Sequence, residues 1–209
     1  MIWLTWRQHR KQALFTLIMT GVVCILMGCG IPTTANYIIM VTIAAPALGL
    51  LGVEPIVAHF FVFYYGVLAD ITPPVALAAY AAAGMAGADP FRTGNTAFRL
   101  GLGKVLVPFV FVFSPSLLLV AKGFTWPDFW LAFLGCAAGI SCLSAGITGW
   151  LLTRTAFWER VLLIVAAILL VAPELYSSLL GATLVVPVLI RQLAAYRLDR
   201  AAEAGASPS

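Results

Sequence analysis

Two short interruptions of apolar sequence hold the residues best suited to chemistry. The first reads Gly28-Cys29-Gly30-Ile31-Pro32-Thr33-Thr34-Ala35-Asn36, and the second, about forty residues later, reads Ala69-Asp70-Ile71-Thr72-Pro73-Pro74. Unwound backbone in hydrocarbon leaves N–H and C=O groups unpaired, so it persists only where protein or a water-filled cavity satisfies them. At each break one helix ends and another begins. The carbonyls before it are free to bind a cation, and the helix after it turns its positive dipole end toward an anion. Gly28 and Gly30 permit the positive φ and close backbone approach of a coordinating turn. Thr33 or Thr34 can cap a helix starting near Ala35. Thr72 can cap the helix after the second break, with Pro73 in its first position. A single Gly/Pro interruption reads equally well as a kink or packing spot, but a pair of them points to a transport site.

Other polar groups stand close to these breaks. An acidic residue beside an intramembrane break is costly, which makes Asp70 a candidate solute contact; the bland reading is a helix-terminal cap. Asn36 and the hydroxyls of Thr33, Thr34 and Thr72 are candidate solute or ion contacts, with simple capping as the alternative. His59, within Ala58-His59-Phe60-Phe61, reads as a packed histidine hydrogen-bonded to a neighbouring helix rather than as a proton relay. The stripe Phe60, Phe61, Phe63, Tyr64 and Tyr65 reads as packing surface. Residues Ala76 to Ala88 read as a close helix-packing face of the small-xxx-small kind.

The elements that must position these residues are membrane helices. Of 209 residues, 62% are hydrophobic and only 10% charged, against about 25% charged in soluble domains. The chain is therefore expected to be an all-α polytopic membrane protein, which excludes aqueous enzymes, nucleic-acid binders and disordered tails. A net charge of +4 records loop bias in such a protein and is no nucleic-acid signal. A span needs ~20 apolar residues. The sequence predicts helix–break–helix over 12–51, and a second broken element over 53–86 whose small-residue helix runs from Val75 to Gly87. Gly87 to Phe98 reads as a polar loop, with Asp89-Pro90 as a helix N-cap and first position. A span follows from Leu100 to Ala121, bent at Pro108 and Pro115. Phe129 to Thr153 is a full span, and Arg154 to Arg160 a short basic loop. Two more apolar helices, Val161 to Val171 and Leu175 to Ile190, flank Pro173-Glu174. A polar, frayed tail begins at Arg191.

Cys24, Cys29, Cys136 and Cys142 all sit in apolar runs and read as small buried hydrophobes rather than ligands or disulfides. Gly101-Leu102-Gly103-Lys104 lacks the spacing of a phosphate loop. There is no Gly-x-Ser-x-Gly, no His-Glu-x-x-His and no carboxylate pair near a histidine, so no enzyme is expected. Without a Walker motif the chain cannot itself drive ATP-dependent transport.

Three strings carry a family resemblance: Gly28 to Ile38, Ala58-His59-Phe60-Phe61-Val62-Phe63-Tyr64-Tyr65-Gly66, and Asp70-Ile71-Thr72-Pro73-Pro74-Val75-Ala76-Leu77-Ala78-Ala79-Tyr80. Together they resemble the C-terminal part of the membrane permease of TRAP transporters, the tripartite ATP-independent periplasmic uptake systems. The likeness extends through Ala86-Gly87-Ala88-Asp89-Pro90 and Val107-Pro108-Phe109 to Pro115, and more loosely to about Ile190. It implies sodium-driven, elevator-type import of an organic acid-type solute delivered by a periplasmic binding protein, in the bacterial inner membrane. The first break becomes the tip of a re-entrant hairpin and the second the unwound middle of a crossing helix. By matching position, Gly28, Gly30, Thr33, Thr34, Thr72 and Pro73 inherit candidacy as sodium contacts, and Asn36, Asp70 and Thr34 as solute contacts. Cys29 departs from the methionine usual in the family.

The resemblance implies that 1–121 is one transport repeat (hairpin 12–51, broken helix 53–86, span 100–121). Additional helices over 122–193 and a polar tail over 194–209 follow it. Such transporters use two inverted repeats, so the expectation is a split half or fragment. Its partners would be an N-terminal permease half, a small membrane subunit or its fused equivalent, the binding protein and the lipid bilayer. Sodium is the coupling ion, and no cofactor is expected. The alternative is a non-transporting scaffold subunit or an inert truncated chain. With a hairpin opening to the periplasm, Arg92, Arg99, Arg154, Arg160, Arg191, Arg197 and Arg200 fall on the cytoplasmic side, as the positive-inside rule asks, but Arg7, Arg10 and Lys11 fall outside. If Gln12 to Cys29 spans fully and 56–86 is the re-entrant pair, only Lys122 is misplaced. Charge favours the second arrangement and the motif match the first; we adopt the first.

Overall fold

A computed structural model describes residues 2–119, 124–171 and 175–205, with side chains for 12–119, 124–171, 176–198 and Arg200. The side chains of Arg7, Arg10 and Lys11, and all of Lys122, Pro173, Glu174 and 206–209, lie outside the described residues.

Helix α1 (Ile2–Gly28) and α2 (Thr33–Leu50) form an antiparallel hairpin, and α3 (Pro55–Ala69) packs against both. Glu54 in an extended conformation followed by Pro55 starts α3, where the missing proline N–H costs nothing. The apolar core of this trio contains Leu17, Cys24, Met40, Leu48, Val57, Phe61 and Tyr65. A turn at 70–76 separates α3 from α4 (Leu77–Ala86).

The next stretch runs back along α3 and α4. It comprises α5 (Pro90–Gly101), a 3-10 segment (Leu102–Leu106) and α6 (Val107–Phe113). A Cβ on Gly94 would press on the Tyr80 ring at 2.6 Å, and one on Gly101 on Ile71. Tyr65 Oη donates to the Val105 carbonyl at 2.9 Å, and the Phe61 and Phe109 rings meet edge to face at 5.8 Å. The order 80, 71, 65, 61 against 94, 101, 105, 109 makes α3–turn–α4 one extended element beside one antiparallel partner. Phe60 and Tyr64 contact Phe111 in the same way, so the aromatic stripe is packing surface. Ala76, Ala79 and Ala83 are the buried face of the small-residue stretch.

Helices α7 (Trp126–Thr148), α8 (Phe157–Val171) and α9 (Leu175–Gly205) follow, each packed on its predecessor. Gly135, Gly139 and Gly146 line the α7 face against α8, where an added Cβ would meet Leu170, Val171, Ile164 or a backbone carbonyl at 3.3 Å or less. Cys24, Cys136 and Cys142 are buried among apolar side chains, and Cys29 is half-buried.

Among the described residues four stretches are long and apolar enough to cross a membrane: Thr33–Leu50, Pro90–Phe113, Trp126–Thr148 and Tyr176–Leu198. The chain is an all-α polytopic membrane protein. Several boundaries differ from expectation. The Asp89 side chain accepts from Arg92 N at 2.7 Å, as an N-cap should, yet α5 starts there, so 90–98 is helix rather than loop. The helix of that span ends at Phe113, and the expected end at Ala121 lies outside the described residues. Pro108 sits at the start of α6 behind the 3-10 segment, and Pro115 opens a second 3-10 turn. The expected span 129–153 runs instead from Trp126 to Thr148, since Thr125 caps α7 by accepting from Asp128 N, and the expected 161–171 begins at Phe157, where Glu159 accepts from Ala156 N. At 15 residues, α8 is ~22 Å long and shorter than a full span. The polar stretch from Arg191 continues α9 as helix to Gly205, because alanine, leucine and arginine are strong helix formers.

Candidate functional site

The two breaks meet in space. The turn between α1 and α2 requires Gly30 at φ +87°, a left-handed conformation that β-carbons resist, and a Cβ there would lie 3.7 Å from Val75 in the second break. Next to it, Thr33 Oγ1 donates to Asp70 Oδ2 at 2.7 Å. The hairpin tip therefore rests partway along the α3–α4 element, at the end of α3, ~22 Å from its start, with another ~15 Å of α4 beyond the turn.

Below the tip the three helices close on Asn36. Its side chain is 1% exposed and Nδ2 donates to the Cys24 carbonyl at 3.2 Å. A Cβ on Gly28 would come within 2.5 Å of Asn36 Nδ2 and 2.6 Å of Ala69 Cβ, and one on Gly66 within 3.2 Å of the same nitrogen. Gly28 and Gly66 thus open the space that Asn36 fills. Asn36 Oδ1 is buried without a hydrogen-bond partner among the described residues, and such an orphan acceptor is uncommon in a folded protein.

The capping roles expected of the threonines are not those observed. Pro32 is the N-cap of α2 and no side chain caps it. Thr33 bonds Asp70 instead, and Thr34 is exposed. Thr72 does not cap α4; it is buried and its hydroxyl bonds back to the Leu68 carbonyl at 2.8 Å. Pro73 lies in the turn, ahead of an α4 that starts at Leu77 behind the left-handed Ala76 (φ 34°). A threonine hydroxyl reaches its i−4 carbonyl more easily than the next helix when a multi-residue turn intervenes.

The carbonyls also differ from expectation. Those just before the breaks are occupied: Gly28 O accepts from Ile31 N, Leu68 O from Ile71 N, and Ala69 O from Thr72 N. The unpaired ones lie inside the breaks. Among the described residues the carbonyls of Gly30, Ile31, Ile71 and Pro73 accept no hydrogen bond, and the N–H groups of Thr33, Thr34 and Ala35 donate none. The two breaks that meet through Thr33 and Asp70 thus carry neutral backbone oxygens, a carboxylate and a hydroxyl, the hard-oxygen chemistry that suits a small cation. Beside them stands a helix N-terminus suited to an anion.

His59 lies outside the two breaks. Its Nδ1 is 2.7 Å from Tyr37 Oη, with the rings in contact, which is the packed, hydrogen-bonded histidine expected. The sequence did not show the room that Gly66 leaves for Asn36, the left-handed conformation of Ala76, or a buried polar network in the last helices. There Glu159, fully buried, faces Arg191 at 2.7 Å and accepts from Ala156 N and Gln192 Nε2. An acidic residue opening an apolar helix, one span before Arg191-Gln192, was the available signal.

Residues 3–126 match a family model described as Tripartite ATP-independent periplasmic transporter, DctM component. The match takes in both breaks, α1 to α6, and more than half of the 209 residues. No curated protein and no solved structure matches the chain.

Proposed function

The chain belongs to the DctM family, the membrane permease component of TRAP transporters, and from that premise we propose that its paired breaks form one half of a sodium and solute site for gradient-driven uptake. The observation that carries this is the meeting of the hairpin tip with the α3–α4 turn through Thr33 and Asp70. Two unwound breaks meeting at one depth would be an expensive packing accident in hydrocarbon. In secondary transporters unwound carbonyls coordinate the coupling ion, and half-helix N-termini face the anionic part of the substrate.

Sodium falls to the unpaired carbonyls of Gly30, Ile31, Ile71 and Pro73, with Thr33 and Asp70 beside them. The exposed Thr34 and the open N–H groups at the start of α2 face an organic acid's carboxylate. Gly28 and Asn36 act one layer below, holding the hairpin on α3; the orphan Asn36 Oδ1 is the acceptor on that layer still open to a cation. Thr72 fixes the end of α3. Supporting the crossing reading of 55–86 is its extended course beside the antiparallel 90–113. A second hairpin-and-break unit, on this polypeptide or another, would complete the site. A periplasmic binding protein would deliver the solute at the inner membrane.

The test is sodium-dependent uptake of organic acids in proteoliposomes, by the chain alone and together with a supplied N-terminal permease half, small subunit and binding protein. Uptake that requires sodium and is lost on Thr33→Ala/Asp70→Ala supports the proposal. Correct insertion with no uptake in any combination would leave a scaffold.

A further inference from the structure

Beyond the matched residues, the loop between α7 and α8 and the C-terminal part of α9 line an open cleft of about 570 Å³, within the ~300–1,000 Å³ typical of ligand sites. Arg154, Arg191 and Arg200 line it together with Trp150, Leu152 and Tyr196. We propose that this cleft binds the phosphate-bearing head group of an anionic membrane lipid.

The cradle is built before any ligand arrives. Thr153 is tied to α9 through N and Oγ1, both donating to Gln192 Oε1 at 2.9 Å. Thr155 N donates to the Gly149 carbonyl, and Trp150 bridges Arg154. Arg191 is held by the buried Glu159 and lies 5.5 Å over the Trp158 ring; Arg200 lies 5.6 Å over Tyr196. Glu159 offsets one of the three positive charges. Arg154 and Arg200 have no described carboxylate partner, so the cleft keeps a cationic surplus suited to a phosphodiester.

A lipid fits better than free phosphate because of the surroundings. Tyr176–Leu198 is a candidate span, so Arg191 to Arg200 lie at its end, where head groups are. Trp150 and Trp158 are 56% and 47% exposed there, the belt position of interfacial aromatics. Leu193 and Leu198, on the same stretch of α9 as Arg191 and Arg200, are exposed and available to acyl chains. Basic pockets between helices at this level are the usual recognition chemistry for anionic lipids.

The experiment is native mass spectrometry of the full chain in neutral detergent, titrated with dioleoyl-phosphatidylglycerol or dioleoyl-phosphatidylcholine, with and without excess inorganic phosphate. Expected is a one-to-one phosphatidylglycerol adduct that phosphate does not displace. It should weaken by about fivefold for each arginine removed in Arg154→Gln and Arg154→Gln/Arg200→Gln, and stay unchanged in Arg99→Gln on α5. Arg154 has no described side-chain partner, so the single variant serves should the double one not fold. Equal retention of the two lipids, an equal loss in Arg99→Gln, or retention unaffected by Arg154→Gln overturns the proposal. So does displacement by inorganic phosphate that itself binds, which would make this a soluble-anion site.

Discussion

Thr33 Oγ1 and Asp70 Oδ2, 37 residues apart in sequence and 2.7 Å apart in space, join the hairpin tip to the break between α3 and α4. A hydrogen bond to a charged acceptor contributes about 1.5–3 kcal/mol when dry, and partial exposure at the tip brings this to about 1–2 kcal/mol. A double-mutant cycle with Thr33→Val and Asp70→Asn, read by thermal unfolding of the purified chain, should return a coupling of that size. Additive effects would mean that the contact contributes nothing to holding the tip. In the complemented transport system, Thr33→Ala should raise the sodium needed for half-maximal uptake.

Gly28 and Gly84 are both helical glycines, yet only one has no room for a methyl group. A Cβ at Gly28 would strike Asn36 and Ala69, whereas nothing lies within 4 Å of one at Gly84. Gly28→Ala should therefore destabilise the hairpin by about 1–3 kcal/mol through overpacking, and Gly84→Ala should be neutral or slightly stabilising. Chemical denaturation in mixed micelles distinguishes the two; equal effects would show that Asn36 has slack.

The breaks, the aromatic stripe and the packed His59 were legible in sequence because each rests on local chemistry: glycine and proline punctuation, apolar run length, a polar side chain in an apolar setting. The roles of Thr33 and Thr72 were not. A capping threonine and one bonded to a residue 37 positions away have the same local signature, and only packing decides between them. The carbonyls failed for a related reason, since short-range bonds such as Ile31 N to Gly28 O close the helix end and move the unpaired oxygens into the turn. Glu159 escaped because its partners Arg191 and Gln192 come from another helix.

The extended course of α3–turn–α4 beside α5 and α6 makes a directional prediction. If this element crosses the bilayer, Glu54→Cys and Ala88→Cys, which flank it, should label with a membrane-impermeant maleimide from opposite sides of oriented vesicles. Labelling from the same side would return the second break to a re-entrant pair and make α1 a full span. Positive-inside bias then asks that Ala88→Cys share its side with Arg154→Cys.

The last helices are pinned by one buried carboxylate. Glu159 accepts from Ala156 N at 2.7 Å and Gln192 Nε2 at 3.1 Å, while its other oxygen faces Arg191 as an ion pair without an aligned hydrogen bond. Glu159→Ala strands a backbone N–H and an amide together, and should cost about 2–4 kcal/mol. This lies below the upper range for buried pairs because Arg191 is half exposed and rehydrates. Glu159→Gln keeps an acceptor for Ala156 and should cost less. Arg191→Gln leaves the carboxylate buried without its cation, so Glu159→Gln/Arg191→Gln should be less damaged than the two single effects summed. The readout is alkylation of Cys142, which is 6% exposed in the cluster with Leu163 and Ala167. Its thiol should become reactive at lower temperature in the order Glu159→Ala, Glu159→Gln, native. Identical alkylation profiles would mean that apolar packing alone holds α7, α8 and α9 together.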